Sequence, residues 1–462
     1  MKGISEEEEE EECVSIQYSM SLSLVASTMM VAFGRQRLSV SKNVNDVFFS
    51  AATRRRGASS QRRRLLKKKK SFVSSSLYRA VNKSRCDDDD DDDFSSRGDS
   101  NGSSKVVAAY RALPLDRHRR WSDPSSSKLS SSHSIEGRYV SSETAKKRVE
   151  RAVMGASRSC ASLEDYARRI VYETKCIESK IALTHEAFSR CLRGDIDVET
   201  TTTTKEKEEE GKEQQQLPSR PARPDRPNLV DPRAVPSPKK TPLSSHSAHV
   251  MHTVAHIELN AIDLAWDTVA RFRGLPKAFY LDFARVADDE SRHLSWCLQR
   301  LEELGHEYGD MDAHDMLWLG CFESRGDKLD RMCVVPMAQE ARGLDAGPRL
   351  REKLVGRGDN RSAAIVERIT KEELNHVAVG VHWFREMCAR EENIERGNEE
   401  ELGKRFLSAV ERCAPDVLRG PFAHEEREKA GMAREWYDLS FNRELHSRLE
   451  MMVKMEEANS SE

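Results

Sequence analysis

The chain has 462 residues, a net charge of −3 and a mean hydropathy of −0.70. Charged residues make up 33% and aromatics 6%, which excludes a packed core throughout and predicts that part of the chain is unfolded. No apolar run is long enough to span a bilayer, and the ten scattered cysteines show no CxxC or zinc-finger spacing, favouring a reducing compartment.

Residues 1–145 read as a disordered region. Acidic runs at 6–12 and 87–93 enclose basic runs at 54–56, 62–64 and 67–70, and blocks of like charge repel rather than build cores. Between positions 20 and 85 the chain is rich in Ser, Arg and Lys, with Asp46 as its single acid. That composition suits a plastid or mitochondrial transit peptide. The apolar segment 20–33 resembles a signal core, and Val31-Ala32-Phe33 resembles the cleavage region of a bipartite plastid signal, although the 6–12 run suits neither leader. The competing reading is a cytoplasmic or nuclear protein whose basic runs contact nucleic acid.

Residues 160–195 predict an accessory helical hairpin. Ser162 with Asp165 forms a capping pair, and Leu163, Tyr166, Ile170 and Val171 recur at helical spacing. The stretch 196–246 is a low-complexity insert of Thr, Lys, Glu and Gln followed by a proline-rich strap, in which prolines forbid helix and favour an extended path along a surface.

From 247 to 455 the texture is that of long helices, with Gly and Pro at plausible breaks such as Gly274, Gly305, Gly343, Gly347-Pro348 and Gly358. After Pro276, one helical stripe runs Phe279, Phe283, Val286, Glu290, His293, Cys297, Leu301. After Gly358, another runs Ile365, Ile369, Glu373, His376, Gly380, Trp383, Met387. Each carries a Glu and a His three apart within an apolar face. A buried carboxylate without a partner is costly, and a bound cation removes that cost.

Two more carboxylates complete a dimetal set. Glu258 lies in an apolar stripe with Val254 and Ile262, and Glu340 follows Val335, Pro336 and Met337 on a short helix expected to end at Gly343. The order is Glu, ExxH, Glu, ExxH, so two helical hairpins repeat. Four carboxylates balance two divalent ions, and oxygen and nitrogen ligands suit iron, with manganese as the alternative. Glu303 and His306 share the spacing, but Gly305 interrupts them.

His256, Arg342 and Asp345 are candidates to orient ligands from behind. His252 and His256 lie on other faces than Glu258 and read as packing residues, while Asp289 and Glu372 read as exposed acids. Trp266, Trp296, Trp318, Trp383 and Phe384 read as core. No tyrosine lies within a turn of a proposed ligand, which disfavours radical storage.

The segment from about Ser162 to Phe441 resembles the ferritin-like family catalogued as domain of unknown function 455. The stretches PSRPARPDRPNLV, HTVAHIELNAIDLAWD, DDESRHL, PMAQEARGLD and EELNHVAVG carry the likeness. It is also similar, more distantly, to the tRNA-modifying non-haem diiron hydroxylase. The resemblance implies an all-α, ferritin-like four-helix bundle with extra N- and C-terminal helices. It implies the six ligands Glu258, Glu290, His293, Glu340, Glu373 and His376.

The expected function is a diiron oxidoreductase that activates dioxygen to oxidise a small organic or nucleoside substrate. Its electrons are expected from an external donor, because no flavin or nicotinamide motif is present. The rival readings are an iron-binding, ferroxidase-like protein and a metal-free helical interaction module. An apolar substrate channel would favour the first.

Overall fold

The computed structural model describes residues 102–114, 121, 143–198 and 217–443. The proposed targeting segment, the acidic and basic runs, most of the low-complexity insert and the end of the expected C-terminal cover lie outside the described residues.

Every regular element among the described residues is helical. Before the strap come α1 (Gly102–Ala112), α2 (Glu143–Ser159), α3 (Leu163–Arg168), a π-helical turn Arg169–Glu173 and α4 (Ile177–Arg193). The strap leads to α5 (His246–Arg271) and α6 (Lys277–Glu303), then to the short α7 (Met316–Leu319) and α8 (Lys328–Met332). A second π-helical stretch, Cys333–Gln339, carries the chain into α9 (Ala341–Val355) and the long α10 (Asn360–Glu391). Then follow α11 (Glu399–Cys413), α12 (His424–Lys429) and α13 (Arg434–Tyr437). Two isolated bridges, Ser162 with Asp197 and Leu229 with Ala313, are the only β pairing among these residues.

The helix starts follow local chemistry. The Ser162 hydroxyl accepts from the Asp165 amide while the Asp165 carboxylate returns to the Ser162 amide, the reciprocal cap expected from the sequence. Ser245 caps α5 through the Ala248 amide, and Asp359 caps α10 through the Ser362 amide. At the end of α4, Gly194 takes the left-handed conformation at φ 71°, where a side chain would be strained.

Two hairpins make the bundle. Helices α5 and α6 pack along each other, α9 packs on α10, and α6 meets α10 between them. The predicted stripes of α6 and α10 are buried as expected, from Phe279 to Leu301 and from Ile365 to Met387. So are Trp266, Trp296, Trp318, Trp383 and Phe384. Helix α4 covers α6, and α11 covers the second π-helical stretch. The strap runs without helix, held by the Arg223 guanidinium on Asn260 and by the Trp318 indole on the Ser219 carbonyl.

Three expectations are corrected. Residues 1–145 are not uniformly without structure: α1 docks on α10, burying Val107 and Tyr110, and the Arg111 guanidinium grips Asp282 at 2.8 and 2.5 Å. Helix α2 was also absent from the expectation. The Gly343 and Gly347-Pro348 breaks do not occur, because all three residues lie inside α9. A Cβ on Gly347 would stand 2.0 Å from the Thr370 hydroxyl oxygen, so this glycine serves close packing of α9 on α10 rather than chain reversal.

The described cysteines form no disulfide. No described helix is long and apolar enough to cross a membrane.

Candidate metal centre

The four inward-facing elements of the bundle bring their acids and imidazoles to one place. Glu258 comes from α5, and Glu290 and His293 from α6. Glu340 stands where the π-helical stretch passes into α9, and Glu373 and His376 come from α10. One group is Glu258, Glu290, His293 and Glu373; the other is Glu290, Glu340, Glu373 and His376, and within each the donor atoms lie within 4.8 Å of one another. Glu290 and Glu373 belong to both, as bridging carboxylates between two ions would.

Both histidines turn Nδ1 toward the acids. His293 Nδ1 lies 3.2 Å from Glu290, 3.4 Å from Glu258 and 3.7 Å from Glu373. His376 Nδ1 lies 2.8 Å from Glu290 and 3.3 Å from Glu373. Yet Glu290 Oε1, Glu373 Oε2 and His376 Nδ1 are buried and lack hydrogen-bond geometry to any partner. Near approach without hydrogen bonding is what converging ligand atoms show, and a cation would satisfy them together. The residues therefore fit a pair of divalent ions.

Burial, followed by the charge of Glu290, pushes the Glu258 carboxyl well above the usual range. Burial and then Glu373 push Glu340 up in the same way, although it borders a cavity and is only partly buried. Burial would also raise Glu290, but His376 and the hydrogen bond from His293 outweigh it and hold this carboxyl well below its ordinary value. Burial opposes charge on His293 and His376, and the surrounding carboxylates overcome it, so both stand well above the usual imidazole range. Cys297 faces the same interior, but burial and the nearby Glu258 and Glu290 hold its thiol well above its usual value. It stays a neutral thiol, and the donor set remains oxygen and nitrogen.

Asp289 and Glu372 overturn their reading as exposed acids. Glu372 on α10 is buried and takes the outer nitrogen of His293 on α6, Nε2 to Oε2 at 2.8 Å. Asp289 on α6 faces the outer nitrogen of His376 on α10 at 3.6 Å. Each acid thus sits one residue before a ligand on its own helix and backs the histidine of the opposite helix. The Arg292 and Arg368 guanidinium groups hold Glu372, and burial, opposed by His293 and these cations, leaves its pKa below the carboxylate range. The doublets Asp289-Glu290 and Glu372-Glu373, each followed by a His three residues on, were the signal available in the sequence.

Tyr110 was missed for another reason: α1 brings it from far away in the chain. Its hydroxyl donates to Asp289 Oδ2 at 2.7 Å, and its ring meets the His376 ring edge-on at 6.2 Å. The expectation that no tyrosine neighbours the ligands held only along the sequence.

His256, Arg342 and Asp345 do not orient ligands. His256 bonds the Tyr308 hydroxyl at 2.6 Å and the His314 carbonyl at 2.9 Å. Arg342 donates to the Val417 and Arg419 carbonyls, and Asp345 accepts from the Ala423 amide and the Arg427 guanidinium. The two α9 residues therefore fasten the C-terminal segment. Their position one turn from Glu340 placed them near the site but facing a different neighbour.

Replacing Glu372 with alanine leaves the His293 ring without its outer acceptor. Metal affinity is expected to fall about 10–100-fold, the usual cost of losing such a partner, with the fold kept. Competition against a chelator measures it, and an unchanged affinity would show that Glu372 only stabilises the helix pair.

A cavity of about 230 Å³ opens onto this cluster. Glu258, Glu340 and Glu373 line it, and Val250, Ile257, Met316 and Ile369 are among the apolar side chains that line it with them.

Fold and site together define an all-α helical-bundle protein with acidic and histidine groups that could bind a metal. Among known families, the chain belongs to the one described as "Protein of unknown function (DUF455)", whose model matches residues 173–438. It is also similar to an uncharacterized protein of Haemophilus influenzae, 33% identical over 240 residues that span 50% of this chain and 80% of the relative. No solved structure matches the chain.

Proposed function

We propose that this chain is a ferritin-like diiron-carboxylate oxidoreductase that oxidises a small organic substrate with electrons from an external donor. Glu258, Glu290, His293, Glu340, Glu373 and His376 hold two iron ions, with manganese as the alternative metal. When bound, such a pair supplies dioxygen activation and the oxidising power for the substrate. The chain's own groups do the rest. Glu290 and Glu373, which belong to both groups, would be shared between the two ions, His293 and His376 would each serve one, and Glu372 and Asp289 fix the ring orientations.

The observation that carries this reading is the mainly apolar cavity that Glu258, Glu340 and Glu373 help to line. An iron-handling protein needs a polar route for ions; a mainly apolar pocket beside the acids favours an organic substrate. A nucleoside in tRNA belongs to the same proposal as a larger substrate.

The test is anaerobic loading of the full chain with ferrous iron, then admission of air. About two irons per chain are expected, with a new absorption band appearing in air. Fewer than about one iron per chain under these conditions would leave the metal-free interaction module as the better reading.

A further inference from the structure

The His293 ring meets the indole of Trp296, three residues on along α6, with centroids 5.5 Å apart and planes tilted by 39°. The Trp296 indole in turn meets that of Trp121 edge-on, at 5.3 Å and 78°. Both separations lie in the range of rings in direct contact, about 4.5–7 Å. Trp296 is buried, and Trp121 is partly exposed. Two indoles therefore lead from a ligand imidazole toward solvent. The His293 and His376 rings stand 5.8 Å apart, so the same row reaches both halves of the centre.

The other aromatic neighbour of the ligands offers no such route. Tyr110 meets His376 at 6.2 Å but is itself buried, and among the described residues no further ring continues from it to the surface.

The row is held in place. The Arg292 guanidinium lies over the Trp296 ring at 5.2 Å and is itself held by Asp289 and Glu372. The Trp121 amide donates to the side-chain oxygen of Gln299 on α6 at 2.9 Å. Packing alone does not require an indole at position 121. Its Nε1 is enclosed without a hydrogen-bond partner, a cost that a phenylalanine or leucine in the same space would avoid.

An electron tunnels between two groups at a rate that falls exponentially with the gap between them, and contacting rings keep each gap small. Such a row carries electrons singly. It cannot carry a hydride, whose donor carbon must touch the accepting atom.

We propose that Trp121 and Trp296 are the electron entry of this centre, and that its external donor is a one-electron carrier that meets the surface at Trp121 rather than a nicotinamide. This rests on the oxidoreductase reading of the same site. It names the class of the donor and the residues that receive its electrons. Each transfer oxidises one carrier by one electron and reduces one ferric ion to ferrous, so two transfers reduce the pair. No bond forms or breaks in either indole, and no proton moves along the row.

Stopped-flow reduction tests it. The full chain is loaded with ferrous iron, oxidised in air and returned to anaerobic buffer. The electron source is the methyl viologen radical cation, which is charged and too large for an apolar cavity of about 230 Å³. NADH is the hydride arm. Loss of the absorption band formed in air and capture of ferrous iron by bipyridyl follow the reaction, with iron content and Tm measured on the same samples.

Viologen is expected to reduce the wild-type centre, and NADH to leave it oxidised. Trp121→Leu, at a partly exposed position, is expected to slow the viologen reaction by an order of magnitude with iron content and Tm unchanged. Trp296→Leu is expected to slow it at least as much, and Trp296→Phe, which keeps a ring beside His293, to restore most of the rate. Should Trp296→Leu fail to fold, Trp121→Leu carries the test alone. A rate unchanged in the leucine variants overturns the electron entry, and faster reduction by NADH than by viologen overturns the donor class. A chain that takes up no iron sinks the oxidoreductase reading and the electron entry with it. An iron-loaded chain with unaffected rates sinks the electron entry alone.

Discussion

Glu290→Ala is expected to empty both halves of the metal site at once and to remove the stability that metal confers. Glu290 contributes an oxygen to both four-residue groups and is fully buried between His293 and His376. Truncation leaves two buried imidazoles, both held above their usual pKa by the carboxylates around them, without the anion that both of them face. Metal content should fall from about two per chain to well under one, whereas loss of an exposed acid would leave it unchanged. A ligand present at a thousand times its Kd stabilises by about 4 kcal/mol. In a domain of roughly 250 residues each kcal/mol moves Tm by about 2–4 °C. Iron-loaded wild type should therefore melt roughly 8–16 °C above the variant, and chelated wild type should move toward it. Differential scanning calorimetry with and without chelator checks both. A variant with full metal content and an unchanged Tm would remove Glu290 from the centre.

The second large effect is expected at a residue with no ligand atom. Gly380 lies on the buried stripe of α10, one turn past His376, against the stretch that delivers Glu340. A Cβ there would stand 2.6 and 2.7 Å from Pro336 Cβ and Cγ and 3.3 Å from Met337 Cγ. The proline ring is rigid and lies within the π-helical stretch, so it cannot swing aside as a long side chain would. Replacing a helical glycine with another residue normally stabilises by up to about 1 kcal/mol. Here overpacking of about 1–3 kcal/mol opposes that gain, and the branched side chain in Gly380→Val should tip the sum clearly to destabilisation. The strain also bears on Glu340, four residues beyond Pro336, so iron content should drop toward one per chain. Gly155 in α2 is the control, because a Cβ there meets nothing within 4 Å. Urea titration and metal analysis of both variants decide it; a Gly380→Val protein as stable and as metal-rich as its parent would contradict the packing argument.

Much of the centre was legible along the chain. Helical periodicity is local, and a side chain's place on a stripe depends only on its own helix. That is why Glu290 with His293 and Glu373 with His376 stood out, and why Glu303 with His306, interrupted by Gly305, did not. The chain order then pointed to Glu258 and Glu340. Glycine misled where it served another purpose. Gly343 looked like a helix end, but a Cβ there would come 3.3 Å from Glu373 Cγ, so the residue lets α9 lie close to a ligand.

The sequence by itself determined the helical class, the stripes and the six residues that converge, because each follows from spacing within one helix and from the cost of burying charge. Only the tertiary structure decided what lies behind and beside them. Glu372 and Asp289 sit one position off their own stripes, about 100° around the helix, and meet a histidine only because α6 and α10 pack face to face. Tyr110 reaches His376 through α1, and the cavity that Glu258, Glu340 and Glu373 line exists only between packed elements. Contacts between helices depend on how each is rotated against its neighbour, and no periodicity within a single helix encodes that rotation.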